Sequence, residues 1–185
     1  MQPAAGRWFP PHQSGDPMTL SMYSMTVPFY SSMLSNLEHL LSKAEAWAAE
    51  RKIDPAVLLN DRLAPDMLPL KRQVQLVTDH AKGAVARLGG VEVPPFPDVE
   101  ETFAELHDRI ARVRDFLHSV PEANFAGAED KIISMKVGPM DMSFPGLQYL
   151  QGFSVPNFYF HLTAAYAILR HNGVPVGKGD FFGRG

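Results

Sequence analysis

Cysteine is missing from all 185 residues. That absence removes disulfide scaffolds, thiolate zinc sites, Cys-ligated iron–sulfur clusters and cysteine nucleophiles. A basic surplus is missing too, because Lys+Arg 17 against Asp+Glu 20 leaves a formal charge of -3. A dedicated nucleic-acid binder needs clustered cations to neutralise phosphates, so no nucleic-acid partner is expected. No apolar run reaches the roughly 18 residues of a spanning helix. The longest, around Phe158 to Leu169, is interrupted by His161 and Thr163. With no continuous apolar signal core near the N-terminus either, no membrane association and a cytoplasmic location are expected. Neither a G-x-S-x-G elbow nor an H-E-x-x-H pair occurs. Gly177, Gly179 and Gly183 follow a helical pattern with neither the dinucleotide nor the P-loop spacing. They read as an irregular, glycine-rich C-terminal tail from Val174 to Gly185.

What is present describes one globular domain: 45% hydrophobic and 20% charged residues at single-domain length. Residues 1–17 lack periodicity and read as a poorly ordered tail, with Met18 a candidate natural start. Residues 18–185 read as a single domain.

Four long helical patterns fill it. The first runs from about Ser24 to Arg51 and buries Val27, Leu34, Leu37, Leu41, Ala44 and Ala48 at three- and four-residue steps. Asp54-Pro55 opens a short helical turn, with Asp capping and Pro at the first helical position. The second long helix begins near Pro69, carries Leu70, Val74, Val77, Ala81, Val85 and Leu88 inward, and stops at Gly89-Gly90. After Pro94, Pro95 and Pro97, the third is expected to start with Asp98 as N-cap and Glu101 three residues on. Its stripe is Phe103, Leu106, Ile110, Val113 and Leu117.

Between Lys131 and Phe144 the period changes to two around Gly138-Pro139, the pattern of a β-hairpin. The last helical region extends from Gly146 through Asn172, with a break or kink near Pro156. Long helices with short connections predict an all-α antiparallel four-helix bundle with a small β-hairpin before the last helix.

Of the histidines, His118 and His171 lie in last helical turns, where the helix dipole favours imidazolium. His107 is read as facing solvent. His161 shares a stripe with Phe158, Ala165 and Ile168, so its ring points inward, and Asn157 lies four residues earlier on the same face. His80 sits about 60° from Val77, at the border of its stripe. Two imidazoles from different helices beside an amide converge on a divalent metal or a polar ligand, or else His161 is a hydrogen-bonded core histidine and His80 a surface one. Asp79 points away from the stripe, as a solvated carboxylate or a contact to another helix. Phe158, Tyr159, Phe160 and Tyr166 line a pocket or fill the core.

Three blocks carry a resemblance: Leu63-Ala64-Pro65-Asp66-Met67, Gln73-Val74-Gln75 with Asp79-His80-Ala81-Lys82, and Pro156-Asn157-Phe158-Tyr159-Phe160-His161 through Arg170-His171-Asn172-Gly173-Val174. They resemble an uncharacterised family, a domain of unknown function within the DinB/YfiT-like superfamily of helical bundles. The resemblance implies a four-helix bundle. Many members of that superfamily hold a divalent metal with a histidine on helix two and an H-x-x-x-H pair on the last helix. Carried across, His161 matches the second histidine of the pair, Asn157 replaces the first, and His80, or Asp79 one register away, stands for the helix-two ligand.

The resemblance further implies metal-assisted hydrolysis or thiol transfer acting on a small molecule. The site is expected to hold a divalent metal weakly or not at all, because an amide oxygen is a weak transition-metal ligand. Without metal, His161 becomes the candidate general base, oriented by Asn157. The alternative is a non-catalytic small-molecule-binding or dimerisation module. A homodimer is the expected assembly, through Leu40, Trp47 and Leu76, which lie off their helices' main stripes.

Overall fold

The computed structural model describes residues 20–184. The tail assigned to residues 1–17 and the candidate start at Met18 lie outside them. The chain is mostly helical, with one antiparallel two-stranded hairpin.

Helix α1 spans Val27–Arg51 and follows a turn in which Ser21 and Ser24 exchange hydrogen bonds between hydroxyl and backbone groups. Lys52 ends it in the left-handed conformation at φ 55, returning its N–H to the Ala48 and Ala49 carbonyls. Asp54 caps α2 (Pro55–Asn60) by accepting from the Ala56 N–H. Helix α3 (Leu70–Gly89) ends on Gly90 at φ 67, a conformation that glycine adopts without a Cβ clash.

Helix α4 covers Phe103–Ser119, and here the expected start is corrected. Its N-cap is Thr102: the Thr102 hydroxyl accepts from the Glu105 N–H, and the Glu105 carboxylate accepts from the Thr102 N–H. Asp98 caps nothing there because it serves Arg109, whose Nη2 lies 3.0 Å from Asp98 Oδ1.

Arg109 is fully buried and its donors are all used. Nε donates to Thr78 Oγ1 at 2.7 Å, Nη1 to the Pro97 carbonyl and Glu100, and Nη2 to Asp79 Oδ1 at 2.8 Å. Gln75 and Arg72 extend the network through Glu100 and Asp98. A buried cation is tolerable only when so paired, and the network ties α3, α4 and their connection into one register.

Strands β1 (Ile132–Val137) and β2 (Met140–Pro145) pair from Ile132↔Pro145 to Val137↔Met140 around Gly138-Pro139, as the alternation implied. One turn of helix, α5 (Gly146–Tyr149), then leads into a π-helical segment, Leu150–Ser154, and α6 (Val155–His171). The expected irregularity near Pro156 is this segment. Proline cannot donate to the carbonyl four residues back, and the wider π turn just upstream carries the chain past it.

The C-terminal tail is more ordered than its glycines suggested. Val174 and Val176 are buried, and Lys178–Phe181 forms a short helix, α7, against α1. Asp180 accepts from Lys43 at 2.8 Å, His39 at 3.2 Å and the Gly177 N–H at 2.7 Å. Burial alone would raise its pKa, but these bonds hold it down to about 2.

The long helices α1, α3, α4 and α6 enclose the apolar core: α3 lies against α4 and α6, and α1 against α4. None of the three residues proposed for a dimer face is exposed. Leu40 belongs to the core, while Trp47 and Leu76 are half-buried. Among the described residues no helix is long and apolar enough to cross a membrane.

Candidate functional site

The α3–α6 junction brings His80 and His161 together. Their rings lie 5.5 Å apart between centroids and 13° from parallel. Each side chain is half-buried, so the inward stripe position read for His161 and the border position read for His80 produce one juxtaposition. Phe153, from the π segment, meets the His80 ring edge-on at 6.0 Å, and Phe160 meets His161 at 5.2 Å.

Gln73 on α3 decides what His161 can do. Its amide nitrogen donates to the Leu68 carbonyl at 2.9 Å, an acceptor with no hydrogen of its own, which fixes which end of the amide faces His161. The end facing His161 Nδ1, at 2.8 Å, is therefore the carbonyl oxygen Oε1. Nδ1 must carry the hydrogen and donate it, so in the neutral ring Nε2 keeps its lone pair. Burial lowers the pKa of His161. Burial also pushes His80 down to about 4, helped by His161 and the Arg87 guanidinium. Both rings are neutral at pH 7.

Behind the rings runs a chain of hydroxyls. Tyr30 and Ser154 share a hydrogen bond of 2.7 Å, and the Ser154 hydroxyl reaches the His80 carbonyl at 3.4 Å. Tyr30 is fully buried, and burial raises its pKa, so the phenol stays protonated. Ser154 belongs to the π segment, which aims its hydroxyl between α1 and α3.

The other expected site residues go elsewhere. Asp79 faces α4, accepting from Arg109 and Lys82, since one helical residue turns it about 100° from His80. Asp79 is thus the contact to another helix, and of the two alternatives for the helix-two position, His80 is the one that meets His161. Asn157 is half-buried and donates its amide to the Phe153 carbonyl at 2.7 Å, within its own helical run. Tyr166 packs on Phe181 of α7 at 5.6 Å, five residues round the helix from His161. Beyond the site, His118 shares a 2.8 Å hydrogen bond with Ser31 of α1, and His107 lies 3.7 Å from Glu45. Neither depends on the helix dipole or on solvent alone.

Sequence alone assigns no role to Gln73 or Arg109. Both are polar residues at three- and four-residue steps on an apolar stripe: Leu70, Gln73, Val77 and Leu106, Arg109, Val113. That pattern is the available signal, because a buried polar group needs a partner.

The donor set does not suit a resident metal of the superfamily kind. Two imidazoles supply fewer protein ligands than the three or four of zinc-type sites. Arg87 adds positive charge to the neighbourhood, which opposes a cation there. Among the described residues no three His, Asp or Glu side chains gather at metal-holding spacing.

The sequence matches a domain of unknown function, DUF1993, over residues 22–182. The chain belongs to this family. A solved structure of a DinB family member from Shewanella denitrificans is similar to this DUF1993 chain at 46% identity and a TM-score of 0.82. The match covers 87% of this chain and 91% of that one. Among curated proteins, none matches. The DinB-like family expected from the sequence blocks is thus the one found, and the DUF1993 match takes in both imidazoles, Gln73 and the short helix α7.

Proposed function

We propose that this DUF1993 protein is an antiparallel four-helix bundle of DinB type in which the superfamily's metal position works as a metal-independent polar site for a small molecule. The observation that carries the reading is the 2.8 Å bond from His161 Nδ1–H to Gln73 Oε1. It leaves Nε2 of a neutral ring as a hydrogen-bond acceptor on a half-exposed surface. A hydroxyl, thiol or N–H of the ligand donates to that lone pair. The same atom is the proton acceptor that hydrolysis or thiol transfer at this site would use.

Thermal unfolding with Zn, Ni and Mn tests the reading on the parent and on His161→Ala. The expected result is little stabilisation by any of the three, with no difference between the proteins. Stoichiometric metal that survives dialysis, stabilises by about 3 kcal/mol and is lost in His161→Ala would contradict it.

A further inference from the structure

Arg87 is, among the described residues, the one half-buried cation that no carboxylate answers. Among the described residues, every other Lys or Arg that is buried or half-buried forms an ion pair: Lys43, Lys71, Arg72, Lys82, Arg109 and Arg114. Arg87 is half-buried, and its partner is the neutral Tyr149 hydroxyl, 3.3 Å from Nη1. A partly desolvated guanidinium without an anion is costly. The chain holds it there by a specific device. Gly83, one turn earlier in the middle of α3, leaves space that the guanidinium occupies, since a Cβ at that position would sit 2.3 Å from Arg87 Nη1. A mid-helix glycine itself destabilises a helix relative to alanine.

We propose that Arg87 binds the carboxylate of a small organic acid on the half-buried strip of Phe153, His80 and His161, to which the buried Tyr149 links it. The strip is continuous: Tyr149 stacks on Phe153 at 5.9 Å, Phe153 meets His80, and His80 stacks on His161. A planar guanidinium with free N–H groups matches a carboxylate's two oxygens and its single charge. Phe153 offers an apolar wall to the body of the ligand. A hydroxyl or thiol further along the ligand donates to His161 Nε2, and this second contact rests on the function proposed above. The carboxylate contact does not.

Mandelate is a suitable probe, with its carboxylate, hydroxyl and phenyl groups. Its binding is followed by NMR titration in an uncharged buffer on the parent, Arg87→Gln, Gly83→Ala and His161→Ala, with mandelamide as the uncharged control. The parent is expected to bind mandelate saturably, and mandelamide about tenfold more weakly or worse. Arg87→Gln should lose a similar factor. Gly83→Ala should also bind more weakly while unfolding at a higher temperature, which separates the site from the stability of the fold. Equal binding of mandelate and mandelamide, indifference to both α3 substitutions, or no saturable binding by the parent would overturn the proposal. Loss in Arg87→Gln with none in His161→Ala upholds the carboxylate site and refutes the acceptor role of His161. The reverse pattern refutes the carboxylate site alone.

Discussion

His80 is neutral in the fold because burial, the neighbouring imidazole and Arg87 all oppose its charge. This has a defined consequence for stability. The unfolded ring takes up a proton near pH 6.5, whereas the folded ring waits until about pH 4. Between those values the unfolded state binds more protons, so stability is intact above about pH 6.5 and falls as the pH drops towards 4. His161, also lowered by burial, acts in the same direction. Urea unfolding of the parent should therefore show a loss of a few kcal/mol across this window. His80→Gln should flatten most of that loss, and an equally steep acid limb in the variant would refute the assignment. Individual residues of this kind were only partly legible in the sequence. Wheel positions placed His161 inward and His80 at a border. Gln73, which fixes the His161 tautomer from 88 positions away, sits on an apolar stripe that names no partner.

At the scale of the element, helix α4 shows how a local pattern is overruled by a distant one. Asp98 with Glu101 has the spacing of a capping box, but so does Thr102 with Glu105. The second pair wins because Asp98 is drawn to Arg109 and Arg72. Hydrogen bonds from the Glu101 and Thr102 N–H groups and the Thr102 hydroxyl hold the pKa of the exposed Glu105 below its ordinary value, as the box requires. Thr102→Ala should cost about 1 kcal/mol in chemical unfolding. An unchanged midpoint would show that the cap does not hold the helix. Helix periodicity and the hairpin alternation are legible because each arises from the residues within one element. Of the π segment the sequence implies only a break near Pro156, since proline dictates an interruption without dictating its form.

At the scale of the whole molecule, the packing of α3 on α6 sets histidines 81 positions apart ring to ring and leaves them half-open to solvent. Apolar stripes announced that helices would pack, but the neighbour of each helix is decided by long-range contacts that no stripe encodes. The partners of Arg109 and the docking of α7 on α1 are products of that arrangement, and local pattern names neither. The central claim is that the junction presents a neutral His161 with its Nε2 lone pair outward. Long-range nitrogen–proton NMR of the ring reads this directly at pH 7.5. The account predicts a single Nδ1–H tautomer for His161, turning to a mixture in Gln73→Ala. A protonated ring, or an Nε2–H tautomer in the parent, would contradict it.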